Sequence, residues 1–169
     1  MQRRMLFRVW LAALAGFLIS GWPPNKAEAA LRTGDIPLKI TLYDLKGGHF
    51  LLPDAFKGQV ALIHFWASWC PACRTEMALL ESAYHRYGGK GLLPCSIDLG
   101  ESKEAALRYI KDMKITYPVL LDPSSSTVKP FGISGVPTSF VLDRGNVVRF
   151  KILGEVNRDG LEKMIRTFL

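Results

Sequence analysis

The segment Val60 to Trp66 (VALIHFW) is apolar on both alternating faces apart from His64. A strand with one wet face alternates, whereas a strand covered on both sides reads as a continuous apolar run, typical of a parallel sheet. Parallel neighbours need a crossover, usually a helix. The chain supplies one at once. After Ala67-Ser68-Trp69, a helical stretch runs from Pro71 to about Tyr87, with Met77, Leu80, Tyr84 and Tyr87 spaced to share a face. Gly88-Gly89 stops it. A buried strand feeding directly into a helix commits the chain to an α/β fold.

The rest follows the same rhythm. Ile36–Leu42 and Phe50–Leu52 read as a hairpin around Lys46-Gly47-Gly48, and Asp54-Ala55-Phe56 as one helical turn. Gly91–Ile97 is a second strand of the core, and Glu101–Met113 a second helix carrying Leu107, Ile110 and Met113 at helical spacing. Ser102 lacks the reciprocal partner of a capping box, so the start of that helix is approximate. Pro118–Leu121 is a short extended piece ending at Asp122-Pro123. Val136–Leu142 and Val147–Leu153 form a hairpin around Asp143-Arg144-Gly145-Asn146. Asn157 or Asp159 caps a last helix, Leu161–Phe168. The order β-hairpin, β-α-β-α, β-β-α implies a mixed central sheet covered by helices on both faces, with an N-terminal β-hairpin.

Composition narrows the function. Hydrophobic residues are 49% and charged residues 22% of 169, which is globular and excludes disorder as the main description. Three cysteines are too few for a small disulfide scaffold. The formal charge is +7, of which residues 1–29 hold +3 through Arg3, Arg4, Arg8 and Lys26 against Glu28. The +4 that remains for 140 residues is a solubility-range charge, and no stretch interleaves basic and aromatic side chains on one face. No nucleic-acid partner is expected.

The N-terminus carries an address. The basic residues Arg3, Arg4 and Arg8 precede an uncharged run of 11 residues, Val9 to Ile19, then Gly21, Pro23 and Pro24, then Ala27-Glu28-Ala29. This order of parts is that of a secretory signal peptide, and the run falls short of the roughly 20 residues of a membrane span. Residues 1–29 are therefore expected to be a signal peptide, with an uncleaved membrane anchor as the alternative. Residues 30–169 form the working domain, placed outside the cytoplasm, in the periplasm, where disulfides persist.

The chemistry sits at the strand-to-helix junction. Cys70 would be the N-cap, Pro71 the first helical residue and Cys73 the third. A helix N-terminus offers partial positive charge and free N–H groups, both of which stabilise a thiolate. A second thiol three residues later can resolve a mixed disulfide. Two other uses of the pair compete. Structural zinc needs four ligands, and Cys95, His49, His64 and His85 supply no second Cys-x-x-Cys or His-x-x-x-His. A static disulfide closing so small a ring would add little stability.

The arrangement resembles the thioredoxin fold, and within it the TlpA-like extracytoplasmic proteins that include cytochrome c maturation reductases. Four segments carry the resemblance: His64 through Glu76 (HFWASWCPACRTE); Asp122-Pro123 with Phe131-Gly132-Ile133; Gly135-Val136-Pro137-Thr138 leading into Ser139-Phe140-Val141-Leu142-Asp143; and Gly154-Glu155. It spans about residues 36–169. Two positions depart from the family pattern. Ala72 stands where a proline often precedes the second cysteine, and Ala78 where a proline often follows it by five. The first lies between the thiols and bears on redox potential rather than fold.

The resemblance implies a thiol–disulfide oxidoreductase. Cys70 exchanges with the partner's sulfur and Cys73 resolves the mixed disulfide. Pro137 is expected to be cis and to lie against the pair, and Val136, Trp69 and Pro71 to contact substrate. Glu76, one turn beyond Cys73, is expected to exchange protons with the thiols; the plain alternative is a first-turn residue complementing the helix dipole. His64, six residues before Cys70, is either a proton relay to Cys73 or a core histidine bonded to backbone. Trp66 is expected in the core and Cys95 buried and inert. No cofactor is required, since the dithiol carries two electrons.

Expected partners are disulfide-bearing exported proteins, apocytochrome c or copper-site proteins among them, and a membrane thiol donor that keeps the pair reduced. The chain itself is expected to be a monomer. A disulfide-inserting oxidant and a thiolate Cu(I) chaperone are the alternatives. A peroxide reductase would want a single peroxidatic cysteine in a different setting.

Overall fold

A computed structural model describes residues 30–169, so the expected signal peptide lies outside the described residues. Thirteen short elements are arranged on one seven-stranded sheet. The strands are β1 (Ile40–Asp44), β2 (His49–Leu52), β3 (Val60–Trp66), β4 (Leu92–Leu99), β5 (Val119–Asp122), β6 (Thr138–Leu142) and β7 (Val148–Leu153). The helices are α1 (Pro71–Tyr87), α2 (Lys103–Met113), α3 (Val128–Phe131) and α4 (Arg158–Arg166), with 3-10 turns at Asp54–Phe56 and Gly88–Lys90.

The strand order is β2-β1-β5-β4-β3-β6-β7. β3, β4 and β5 run parallel, while β1 joins β5, and β6 joins β3, in antiparallel fashion. β3 is interior, with β4 on one side and β6 on the other, and all seven of its residues are buried. That is why its sequence shows no polar face.

The two faces of β3 feed two separate cores. Leu62 and Trp66 pack with Met77 and Leu80 of α1, Ala106 and Ile110 of α2, and Leu161 and Ile165 of α4. Ile63 and Phe65 pack with Phe56, Phe131 and Phe140 and with Leu31 from the N-terminal segment. Phe65 sits 5.0 Å from the Phe131 ring. Both faces are covered, but unevenly: three long helices on one side, and on the other one turn of 3-10 helix, the four-residue α3 and Leu31.

Several boundaries shift from the sequence expectation. The N-terminal hairpin pairs Ile40–Tyr43 with His49–Leu52, so Ile36–Lys39 is not strand. α3 was not foreseen. Its four residues include Pro130, and no period can show in so short a stretch. Ser102 caps α2 after all, its hydroxyl accepting from Ala105 N–H at 3.3 Å without any reciprocal partner. Asn157 rather than Asp159 caps α4, accepting from Gly160 N–H at 2.8 Å. Two X-Pro bonds are cis, the expected Val136–Pro137 and also Leu52–Pro53.

Candidate active site

Trp66 ends β3 in register with Asp98 of β4, and Asp98 in register with Leu121 of β5. The C-terminal ends of these parallel strands therefore share one edge of the sheet, where open α/β sheets place their ligands. Ala67-Ser68-Trp69 leaves that edge and closes on itself, Cys70 N–H donating to the Ala67 carbonyl at 3.1 Å. α1 then begins with Cys70 as N-cap and Pro71 at its first position. The Cys73 N–H donates to the Cys70 sulfur at 3.1 Å. That contact is the helix N-terminus meeting Sγ, as cap chemistry demands.

Cys70 and Cys73 are joined as a disulfide with their Cα atoms 5.3 Å apart. Their environments differ. Cys70 is 5% exposed and Cys73 fully enclosed, while the adjacent Trp69 is 72% exposed and Pro71 is also on the surface. Only Cys70 can meet a sulfur arriving from outside. The third cysteine, Cys95 in β4, is a free buried thiol, and burial raises its pKa far above the ordinary range. It has no thiolate to offer.

Pro137 is buried, follows its cis bond and leads directly into β6. Its carbonyl accepts from Gly154 N–H at 2.9 Å, and the Thr138 hydroxyl donates to the Gly135 carbonyl at 2.7 Å, so the turn before β6 is pinned at both ends. Val136 is half-buried and, among the described residues, makes no backbone–backbone hydrogen bond. Its backbone N–H and carbonyl are thus not taken up by the sheet, two residues before β6 begins.

Glu76 is fully buried, which takes it beyond a solvent-facing complement to the helix dipole. The Ser139 hydroxyl donates to Glu76 Oε1 at 2.6 Å. His64 Nδ1 lies 3.0 Å from the Ser139 oxygen and 3.3 Å from Glu76 Oε1. Ser139 has one proton and gives it to Glu76, so its oxygen accepts from His64, which places a hydrogen on Nδ1. His64 is thus tied to side chains, not to backbone as a plain core histidine would be. Glu76 Oε2 and His64 Nε2 are buried without partners among the described residues.

Three groups at this edge were not singled out in the sequence. Ser139 is one. Glu101 is another, accepting from Ser68 N–H and from the Ser68 hydroxyl, each at 2.6 Å. Asp98 is the third, buried beside it. Trp66 is in the core as expected, stacked on Tyr109 at 4.9 Å, with the Arg74 guanidinium 5.6 Å from that ring.

A thioredoxin-type sheet presenting a Cys-x-x-Cys disulfide at the mouth of a helix defines a class, the thiol–disulfide oxidoreductases. Within it the chain belongs to the AhpC/TSA family, whose model matches residues 33–151. It is 30% identical to the thiol-disulfide oxidoreductase ResA of Bacillus cereus (strain ATCC 10987 / NRS 248), covering 98% of this chain and 96% of that protein. It is 28% identical to the sporulation thiol-disulfide oxidoreductase A of Bacillus subtilis (strain 168), covering 90% and 92%. Among solved structures it resembles a thiol:disulfide interchange protein of the thioredoxin family from Chlorobium tepidum TLS. The two share 26% identity and a TM-score of 0.70 over 83% of this chain and 99% of that one. The thioredoxin-like fold, the TlpA-like kinship and the oxidoreductase activity are thereby shown.

Proposed function

We propose that this chain is exported and works in the periplasm as a reductant of disulfides in other exported proteins, with apocytochrome c as its substrate before haem attachment. The observation that carries the reading is the asymmetry of the two sulfur-bearing residues, Cys70 retaining 5% exposure beside an exposed Trp69 and Cys73 fully enclosed. The reduced Cys70 thiolate attacks the partner's disulfide. One partner sulfur bonds to Cys70, and the other leaves with the electron pair and takes up a proton. Cys73 then attacks Cys70, closing the internal disulfide and releasing the partner as a dithiol. A membrane thiol donor returns the two electrons by the reverse exchange.

Glu76 favours the reducing direction. A carboxylate one helical turn from Cys73, out of water, disfavours a thiolate there. Disfavouring the thiolate stabilises the disulfide form, which makes the dithiol the better electron donor. Pro137 shapes the groove, with Val136, Trp69 and Pro71 lining it for an extended segment of the substrate. The chain acts as a monomer, and residues 1–29 direct its export, either cleaved or kept as an anchor.

The test is the reduction potential of the Cys70–Cys73 couple in dithiothreitol redox buffer, read by alkylation. A value at or below about −270 mV fits a reductant, and one near about −120 mV turns the chain into an oxidant. Reduction of an oxidised Cys-x-x-Cys-His peptide by the parent, and its loss in Cys70→Ser, tests the substrate.

A further inference from the structure

The active-site turn is held from outside by a residue that no step of the exchange uses. Glu101 lies between β4 and α2, and both of its carboxylate oxygens accept from Ser68, one from the backbone N–H and one from the hydroxyl. Ser68 is the middle residue of the only three between the end of β3 and Cys70. Two charge-assisted bonds from one carboxylate to one residue fix a turn's orientation as well as its position. Glu101 is itself half-buried, so its side chain has water available as an alternative partner.

What keeps it on Ser68 lies behind it. Asp98, the next-to-last residue of β4, is fully buried. Its Oδ1 accepts only a long bond, 3.3 Å, from Glu101 N–H, and its Oδ2 has no partner among the described residues. An ionised carboxylate so placed would be costly. Burial first, then hydrogen bonding of the neutral carboxyl to the Glu101 side chain, then the Glu101 charge, push the Asp98 carboxyl up to about 8.

We propose that Glu101 is a positioning residue for the redox turn, that Asp98 is its proton-controlled neighbour, and that together they set how firmly Cys70 is presented to an incoming sulfur. With Asp98 neutral, Glu101 is the single charge of the pair and Ser68 its best partner. With Asp98 ionised, two carboxylates face each other in a poorly solvated space, and Glu101 relieves the repulsion by swinging to water. The turn then loses two bonds and Cys70 loses its fixed approach.

The other charges around the pair do not cancel this. Asp122 of β5 is a third acid: burial would raise it, but the Thr127 and Ser126 hydroxyls and N–H groups outweigh burial and keep it ionised. From α2, Tyr109 feels the Glu101 charge with its hydroxyl un-ionised, burial raising its pKa. From α1, the cation Arg74 acts on Tyr109. Neither Asp98 nor Glu101 has a cation in ion-pair contact among the described residues.

The inference rests on Cys70 being the entering sulfur. The reduced full chain is reacted with oxidised glutathione from about pH 5 to about pH 9, and each rate is divided by the Cys70 thiolate fraction, measured by iodoacetamide alkylation at the same pH. The corrected rate of the parent falls about tenfold between about pH 7 and about pH 9, the order of one or two charge-assisted hydrogen bonds. Asp98→Asn keeps the Oδ1 acceptor and removes the ionisation, so its corrected rate runs flat across that range. Glu101→Gln is about tenfold slow at every pH and also flat. Should Glu101→Gln fail to fold, Ser68→Ala, which removes the hydroxyl bond and keeps the N–H bond to Glu101, is slowed at about pH 7 and falls less steeply than the parent between about pH 7 and about pH 9; a fall as steep as the parent's overturns the proposal. A parent profile flat through about pH 8, or a fall that persists in Asp98→Asn, overturns the proposal. Exchange surviving in Cys70→Ser overturns instead the assignment of the entering sulfur beneath it.

Discussion

Glu76 and Asp98 are both closed off from solvent, and the fold treats them differently. Glu76 receives the Ser139 hydroxyl and the His64 imidazole, both from strands that lie under α1. Asp98 receives one long backbone bond. Ser139 is the hinge of the first arrangement, since its single hydroxyl serves both the carboxylate and the ring. Ser139→Ala removes the hydroxyl donor of Glu76 and the acceptor of His64 Nδ1, and leaves these two buried groups only each other, at 3.3 Å. It is expected to cost about 1–3 kcal/mol in urea unfolding of the oxidised protein, the price of unsatisfied buried groups. Ser139→Thr, which keeps the hydroxyl, should recover most of that loss; a loss equal to that of the alanine variant would show that the hydroxyl is not what matters. Glu76 was legible in the sequence because one helical turn separates it from Cys73, a local spacing. Ser139 and Glu101 were not, because their partners are 63 and 33 residues away and only strand pairing brings them together. His64 stood out by being polar within an apolar strand, but its partners come from two other elements.

At the level of elements, the strand–helix core was readable to the residue. β3 and α1 start and stop where apolar continuity, the Pro at the first helical position and the two glycines place them. Their ends are set by local chemistry. The hairpin β1–β2 begins four residues later than its apolar pattern suggests, because Ile36 and Leu38 are exposed and their segment pairs with nothing in the sheet. α4 shows which forces hold a terminal helix. Asn157 caps it, while Leu161 and Ile165 are buried in the core beneath α1. Asn157→Ala is expected to cost about 1 kcal/mol, as cap removal does. Leu161→Ala is expected to cost about 2–5 kcal/mol, because a fully enclosed side chain leaves a cavity. Urea midpoints at constant m-value compare the two. Equal losses would mean that α4 is held by its cap and not by packing.

On the scale of the whole molecule, the ionisable groups pull stability in opposite directions along the pH axis. For Glu101, Asp122 and Asp143 burial works against ionisation, but hydrogen bonds from Ser68, from Thr127 with Ser126, and from Val147 with Arg149 overcome it and hold each carboxyl below its ordinary pKa. Their contribution is present above the usual carboxylate range and is lost as pH falls through their depressed values. Asp98 has the reverse sign. Its folded-state value of about 8 lies above the unfolded 3.8, so its contribution is whole below about pH 4 and is lost as pH climbs toward 8. The two trends leave the oxidised protein most stable in mildly acid solution, with a decline up to about pH 8 that belongs to Asp98, before buried Cys95, Tyr109 and Tyr117, whose pKa values burial raises, add their own losses at higher pH. Asp98→Asn should remove that decline, gaining on the order of a few kcal/mol over the parent at about pH 9 and little at about pH 4, by urea unfolding at each pH. Parallel curves for parent and variant would place the alkaline limb elsewhere. If the limb does vanish with Asp98, one buried proton links global stability to the turn that carries Cys70, since the carboxyl that loses it is the one behind Glu101 and Ser68. The same titration would then be visible twice, as the pH near 8 at which the stability of the oxidised chain stops falling and as the midpoint of the corrected exchange rate of the reduced one.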